Sequence, residues 1–74
     1  MEIAPRISVD KRVCFGKPVI AGTRIPVELI LAKLAAGMSY EDIIQEYEVT
    51  RKDILAALDY AAKLLSSQEI KAIK

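Results

Sequence analysis

Two helix starts lie close together between Gly37 and Leu65, and they constrain the fold more than any other feature of the chain. Ser39 is followed three residues on by Asp42, and Thr50 is followed three residues on by Asp53. Each hydroxyl accepts from a free backbone N–H of the first turn, and each acid suits the positive end of the helix dipole. Asp stands where Glu or Gln would complete a capping box, so the boxes read as imperfect while the starts stay clear. Two helices joined by a tight turn at Glu48-Val49 make a helix-turn-helix.

Ahead of this unit, Pro26 fits the first position of another helix, where its missing N–H costs nothing. Val27, Ile30, Leu31 and Leu34 then recur at spacings of three and four on one face, with Leu29 on the opposite side, free to touch a partner. Gly37 closes this helix in the C′ role. The second helix, about Tyr40 to Tyr47, buries Tyr40, Ile43, Ile44 and Tyr47 and shows Glu41, Asp42, Gln45 and Glu46. The third runs from Arg51 to about Leu65, with Ile54, Leu58, Ala61 and Leu65 as its central stripe. Leu55 and Ala62 widen that stripe on one side, Ala57 and Leu64 on the other. Lys52, Ala56, Asp59 and Lys63 form a narrow polar face. This apolar arc is broader than a packed surface helix needs, and the excess predicts burial against a second chain.

The N-terminal third reads differently. Met1 to Arg6 looks like a loose lead-in, and Ile7-Ser8-Val9, Val13-Cys14-Phe15 and Val19-Ile20 are short strand-like runs split by polar or glycine turns. The expected architecture is mainly α: a three-helix helix-turn-helix bundle behind a short β-hairpin arm. As one domain it divides into an arm at 1–25, the helices at 26–65 and a tail at 66–74. In the tail, Ile70 and Ile73 could continue a helix face. Strands this few and short must pack on the helices or on another chain.

Composition narrows the function. With 74 residues, the core is marginal alone and gains from a partner. Eleven Lys and Arg against ten Asp and Glu give a net charge of +1, which excludes a strongly basic nucleic-acid binder but not a locally basic one. There is no His, and Cys14 is the one cysteine, so neither a conventional zinc site nor an internal disulfide is expected; Cys14 reads as a buried or half-buried side chain. The acidic residues Glu41, Asp42, Glu46 and Glu48 are explained as first-turn and solvated-face residues, so no metal, cofactor or enzymatic role is expected. No apolar run reaches the roughly 18 residues of a membrane span, and no secretion signal is seen, so the default location is the cytoplasm.

The Gly16-Lys17-Pro18 and Gly22-Thr23-Arg24 segments lack the phosphate-loop spacing. Arg24 could bind a phosphate or a partner carboxylate, or tie the arm to the helices, and is read in the structural role. In the helix-turn-helix, Arg51 and Lys52 are the candidate DNA-contacting residues, but Asp59 on the same exposed face would oppose phosphates.

The order Gly16-Lys17-Pro18-Val19-Ile20, Gly22-Thr23-Arg24-Ile25-Pro26-Val27, Gly37-Met38-Ser39 and Ala57-Leu58-Asp59-Tyr60-Ala61 resembles a small prokaryotic family, domain of unknown function 433. The likeness implies a homeodomain-like fold behind a β arm and the role of an antitoxin in a toxin–antitoxin pair, whose partner is a PIN-like ribonuclease. It carries over no catalytic residues. Gly16, Pro18, Gly22, Thr23, Arg24 and Pro26 are read as setting the arm and its passage into the first helix. The expectation is therefore a homodimeric, non-enzymatic antitoxin-like protein that presents Leu29, Leu55, Leu64 and Ile70 to partners. A helix-turn-helix regulator of transcription, acting on its own operon, is the alternative.

Overall fold

The computed structural model describes residues 1–67. In chain order it has β1 (Glu2–Ala4), β2 (Ile7–Ser8), a short 3-10 turn (Cys14–Gly16), β3 (Val19–Ile20), α1 (Val27–Ala35), α2 (Tyr40–Tyr47) and α3 (Arg51–Ser66). The chain is mainly α, with three helices following a small antiparallel sheet of order β1-β2-β3.

Two parts of the arm differ from the sequence reading. Met1 to Arg6 is not a loose lead-in. Glu2 and Ala4 pair with Ser8 and Ile7 across a Pro5-Arg6 turn, and the Arg6 N–H donates to the Glu2 carboxylate at 2.9 Å. Nor is Val13-Cys14-Phe15 a strand. Cys14 (φ 50°), Phe15 (φ 57°) and Gly16 (φ 82°) all take left-handed backbone. Gly16 N–H reaches the Val13 carbonyl and Lys17 N–H the Cys14 carbonyl, so this turn satisfies its backbone groups locally, without a neighbouring strand. A non-glycine residue held left-handed costs about 1–2 kcal/mol, and Cys14 and Phe15 both incur it.

The glycine-threonine motif explains how the arm hands over to the helices. Gly22 (φ 79°) turns the chain, and the Thr23 hydroxyl donates to the Ile20 carbonyl at 2.8 Å while accepting from the Ile25 N–H at 2.9 Å. This folds Ile25 and Pro26 back along β3, where Pro26 bridges Val19. Pro26 accordingly sits at the N-cap with extended backbone (ψ 143°), one place before the first helical position expected for it. Its sheet-like conformation is kept by the bridge to Val19, and α1 starts at Val27, whose N–H donates to the Pro18 carbonyl at 3.0 Å.

Each helix boundary has a chemical cause. At the end of α1, Gly37 (φ 96°) donates to the Leu34 carbonyl and Met38 to the Lys33 carbonyl, both at 3.0 Å, which is a full Schellman motif. Ser39 caps α2 by accepting from the Asp42 N–H at 3.1 Å. α2 ends on Glu48 in left-handed backbone (φ 57°), in the helix-turn-helix bend. The capping box of α3 is complete, not imperfect: Thr50 Oγ1 accepts from the Asp53 N–H at 3.1 Å and Asp53 Oδ2 accepts from the Thr50 N–H at 2.9 Å.

The core is built from isoleucine. Ile7, Ile20, Ile30, Ile43 and Ile54 are the largest fully buried side chains, one each from β2, β3, α1, α2 and α3. Val19, Val27, Val49 and Ala57 complete the buried set. On α3 this centres the covered face on Ile54 and Ala57. Leu58 and Ala61 are only partly covered, Leu65 is exposed, and Ala56, expected on the polar face, is partly buried against the core. The shift arises because β2, as well as α1 and α2, packs on α3, a side that helical periodicity cannot reveal.

The sheet is pinned to α3 through one carboxylate. Asp53 Oδ1 accepts from the Arg6 guanidinium at 3.0 Å while Oδ2 serves the Thr50 cap, and its side chain is only 13% exposed. Partial burial pushes the Asp53 carboxyl up, but the Thr50 N–H and Arg6 outweigh this and hold it below the usual carboxylate value. A depressed folded value stabilises fully above the unfolded pKa, near pH 4, and the gain is lost as pH falls through the folded value. Asp53→Asn is expected to lower neutral-pH stability by about 2 kcal/mol and to flatten the acid limb of a urea midpoint-versus-pH curve. Asp10, held low by its hydrogen bonds from Arg12, leaves a residual slope. Identical acid limbs in the two proteins would contradict this role.

Candidate functional site

Among the described residues, no group of three or more His, Cys, Asp or Glu is placed to hold a metal ion. Cys14 is half-buried, and its thiol donates to the Arg24 carbonyl at 3.4 Å, so it fastens the arm. The Arg24 side chain is exposed and forms no hydrogen bond among the described residues; the tie between arm segments runs through its backbone oxygen. No helix among the described residues is long and apolar enough to cross a membrane.

The proposed DNA-contacting pair behaves unequally. The Arg51 guanidinium lies 4.9 Å from the centroid of the Tyr40 ring and donates to Glu41 at 3.2 Å. It therefore bridges the start of α3 to the start of α2. Lys52 is exposed. Around them Glu41, Asp42, Glu46 and Glu48 are all exposed. Charge is segregated along the chain: residues 1–36 hold six Lys and Arg against three Asp and Glu, while residues 37–67 hold three against six. The helix-turn-helix half thus has a net charge of −3, which repels a phosphate backbone.

The apolar surface is more substantial. Leu55 is 48% exposed, Leu64 47% and Leu65 57%. They are exposed for different reasons. Leu55 points away from the core. Leu64 and Leu65 follow the covered side, but α3, roughly 24 Å long at 1.5 Å per residue, overruns the elements packed on it. Tyr60 and Leu64 form a ridge with an apolar groove on each side. One groove, of about 200 Å³, is walled by Pro18, Val27, Leu31, Tyr60, Ala61 and Leu64, with Glu28 on its rim. The other, of about 250 Å³, lies between α3 and the β1 turn, against Ile3, Ala4 and Pro5. The structure thus brings Leu64 together with the arm and with α1. Leu29 is half-buried and borders neither groove, Leu55 stands apart on the outer face of α3, and Ile70 lies outside the described residues.

Sequence reasoning missed Phe15. It is 98% exposed at the tip of the left-handed turn. Its apolar neighbours Val13 and Cys14 suggested a strand that would have covered it, and the only contrary signal was its place between the polar runs Lys11-Arg12 and Gly16-Lys17.

Comparison with known families decides the classification. The model of a family described as "Protein of unknown function (DUF433)" matches residues 7–61. The chain belongs to this family. The matched span covers β2 through most of α3, and leaves β1 and the last turn of α3 outside it. No curated protein and no solved structure matches the chain. In this DUF433 protein, then, the sequence motif of Gly22, Thr23 and Pro26 belongs to the hinge between sheet and helices.

The unequal roles of Arg51 and Lys52 are separable by substitution. Arg51→Ala is expected to lower stability by about 1 kcal/mol, from the lost stacking and ion pair, whereas Lys52→Ala leaves the thermal midpoint unchanged. Equal effects of the two in a thermal melt would contradict the bridging role of Arg51.

Proposed function

We propose that this chain is a non-enzymatic, antitoxin-like protein-binding module, a cytoplasmic homodimer that occupies and silences a PIN-like ribonuclease. The observation that supports this reading is the uncovered apolar surface of α3: Leu64, about half exposed, lines two grooves, and Leu55 and Leu65 are about half exposed outside them. Burying one such side chain at an interface is worth roughly 1.5–3 kcal/mol. Several together supply enough to hold a protein partner, and a domain this small otherwise gains nothing from exposing them. The resemblance to antitoxin-like proteins supplies the class of partner.

The alternative, a helix-turn-helix regulator that binds DNA, draws support from the two well-capped helices α2 and α3. It is the weaker reading, because Arg51 is engaged with Tyr40 and Glu41 and the surroundings are acidic. A gel shift that stays blank at low salt with upstream and random DNA would remove it.

The test of the first reading is co-purification with the nuclease encoded beside this chain. Leu55→Asp is expected to weaken capture by roughly tenfold or more while the far-ultraviolet circular dichroism is retained, since Leu55 lies outside the core. Glu46→Ala, at an exposed position on α2 that borders neither groove, leaves capture intact. A neighbouring nuclease that stays free and active beside the wild-type chain would overturn the proposal.

A further inference from the structure

We infer that two copies of this chain join through a reciprocal knob-and-groove contact, in which Phe15 of each copy enters the α1–α3 groove of the other. The inference rests on the homodimer reading above and assigns it a surface.

The knob is held out by construction. Gly16 N–H and Lys17 N–H bond back to the Val13 and Cys14 carbonyls, Asp10 accepts from the Arg12 N–H at 2.9 Å, and the Cys14 thiol is fastened to the Arg24 carbonyl. Two successive non-glycine residues, Cys14 and Phe15, stay in left-handed backbone to keep this shape. An isolated exposed apolar side chain is ordinary. A phenyl ring 98% exposed on a turn that is both strained and tied at several points is not, because neither the strain nor the exposure serves the fold.

The groove matches the knob in size, position and charge. Its volume of about 200 Å³ exceeds the roughly 150 Å³ in which an apolar cavity accepts benzene. Lys17, two residues after Phe15, pairs with Glu28 on the groove's rim, so the turn that carries the knob adjoins the groove. A twofold axis beside them lets both exchanges occur at once, as a closed isologous dimer requires. Lys11, Arg12 and Lys17 flank the knob and Glu28 lines the groove. Lys17 already pairs with Glu28 inside one chain at 3.2 Å, across an exposed and readily exchanged contact. Lys11, which forms no ion pair among the described residues, is the cation free to meet Glu28 of the other copy. Base stacking on a nucleic acid is the less suited use of Phe15, because Asp10 and Glu28 set two carboxylates close to the knob.

The test uses the full chain in sedimentation velocity over a concentration series. Phe15→Glu and Leu64→Lys, both at exposed positions, are each expected to weaken self-association about thirty-fold with unchanged circular dichroism. Mixing the two variants restores pairing, since each supplies the intact half that the other lacks and the altered halves bring opposite charges together. The chain has no tryptophan, so Phe15→Trp places a lone reporter on the knob, and its emission is expected to shift to the blue as concentration rises. Self-association untouched by Phe15→Glu would overturn the contact while leaving the homodimer standing. A wild-type chain that is monomeric throughout would overturn both. A blue shift identical at every concentration would place the ring against its own chain, and Phe15-dependent binding of a single-stranded oligonucleotide without self-association would assign it to nucleic acid; either overturns the contact.

Discussion

Five isoleucines meet at one point, and the rest of the molecule is arranged so that they can. Each comes from a different element, two from strands of only two residues. Such strands have no independent stability. They persist because Ile7 and Ile20 fill space that the three helices alone would leave empty. The helices need the strands equally, since Ile30, Ile43 and Ile54 would otherwise line an open cleft. The sheet is therefore part of the core, and the division of the chain into an arm and a helical bundle is one of sequence order alone. The Arg6–Asp53 contact reinforces this, because the same carboxylate that caps α3 also grips the β1–β2 turn.

Concentrating the core at one point has a consequence for the surface. Cover is centred on Ile54 and Ala57, near the start and middle of α3, and among the described residues nothing of comparable bulk lies over its last turn. Leu64 and Leu65 keep the periodicity of buried residues where burial is no longer provided. The exposure of these two is thus a matter of length, whereas that of Leu55 is one of helical phase. Leu64 is adjacent to the arm on one flank and to α1 on the other, so any partner seated there touches elements from both ends of the chain.

How legible this was in the sequence depends on how local each cause is. The helix boundaries were readable because Ser39, Thr50 and Gly37 act through bonds spanning three to five residues. Ile43 and Ile54 were readable because helical spacing marks them. The strand role of Glu2 and Ala4 was not, since it depends on a partner strand and on Arg6 adopting positive φ (66°), a conformation that residue type does not announce. The same holds for Cys14 and Phe15: a short apolar run reads as a strand unless one knows that Asp10, Arg12 and Arg24 will close a turn around it. For the candidate site, Leu55 and Leu64 were visible as excess apolar residues, but the grooves were not, because their walls combine residues as distant as Pro18 and Leu64. The bridging of Arg51 to Tyr40 and Glu41 was equally hidden, since it crosses the bend at Glu48.

That bend also bears on how a helix-turn-helix can serve purposes other than reading DNA. The motif requires only two capped helices and a tight connection, and here Glu48 accepts left-handed backbone to provide it. What it presents is decided by the exposed side chains, and those on α2 are largely acidic. A nucleic-acid reader gains affinity by releasing counterions from phosphate, which requires uncommitted cations on the approaching face. In this chain Arg51 is paired with Glu41 across the bend, and residues 1–36 hold six Lys and Arg against three Asp and Glu. Apolar grooves beside the last helix, with acidic side chains exposed on α2, are the features on which the proposed protein contacts rest. The proposed dimer and the proposed nuclease complex draw on the same physical fact: this fold closes its core early and leaves the end of α3 for something else to cover.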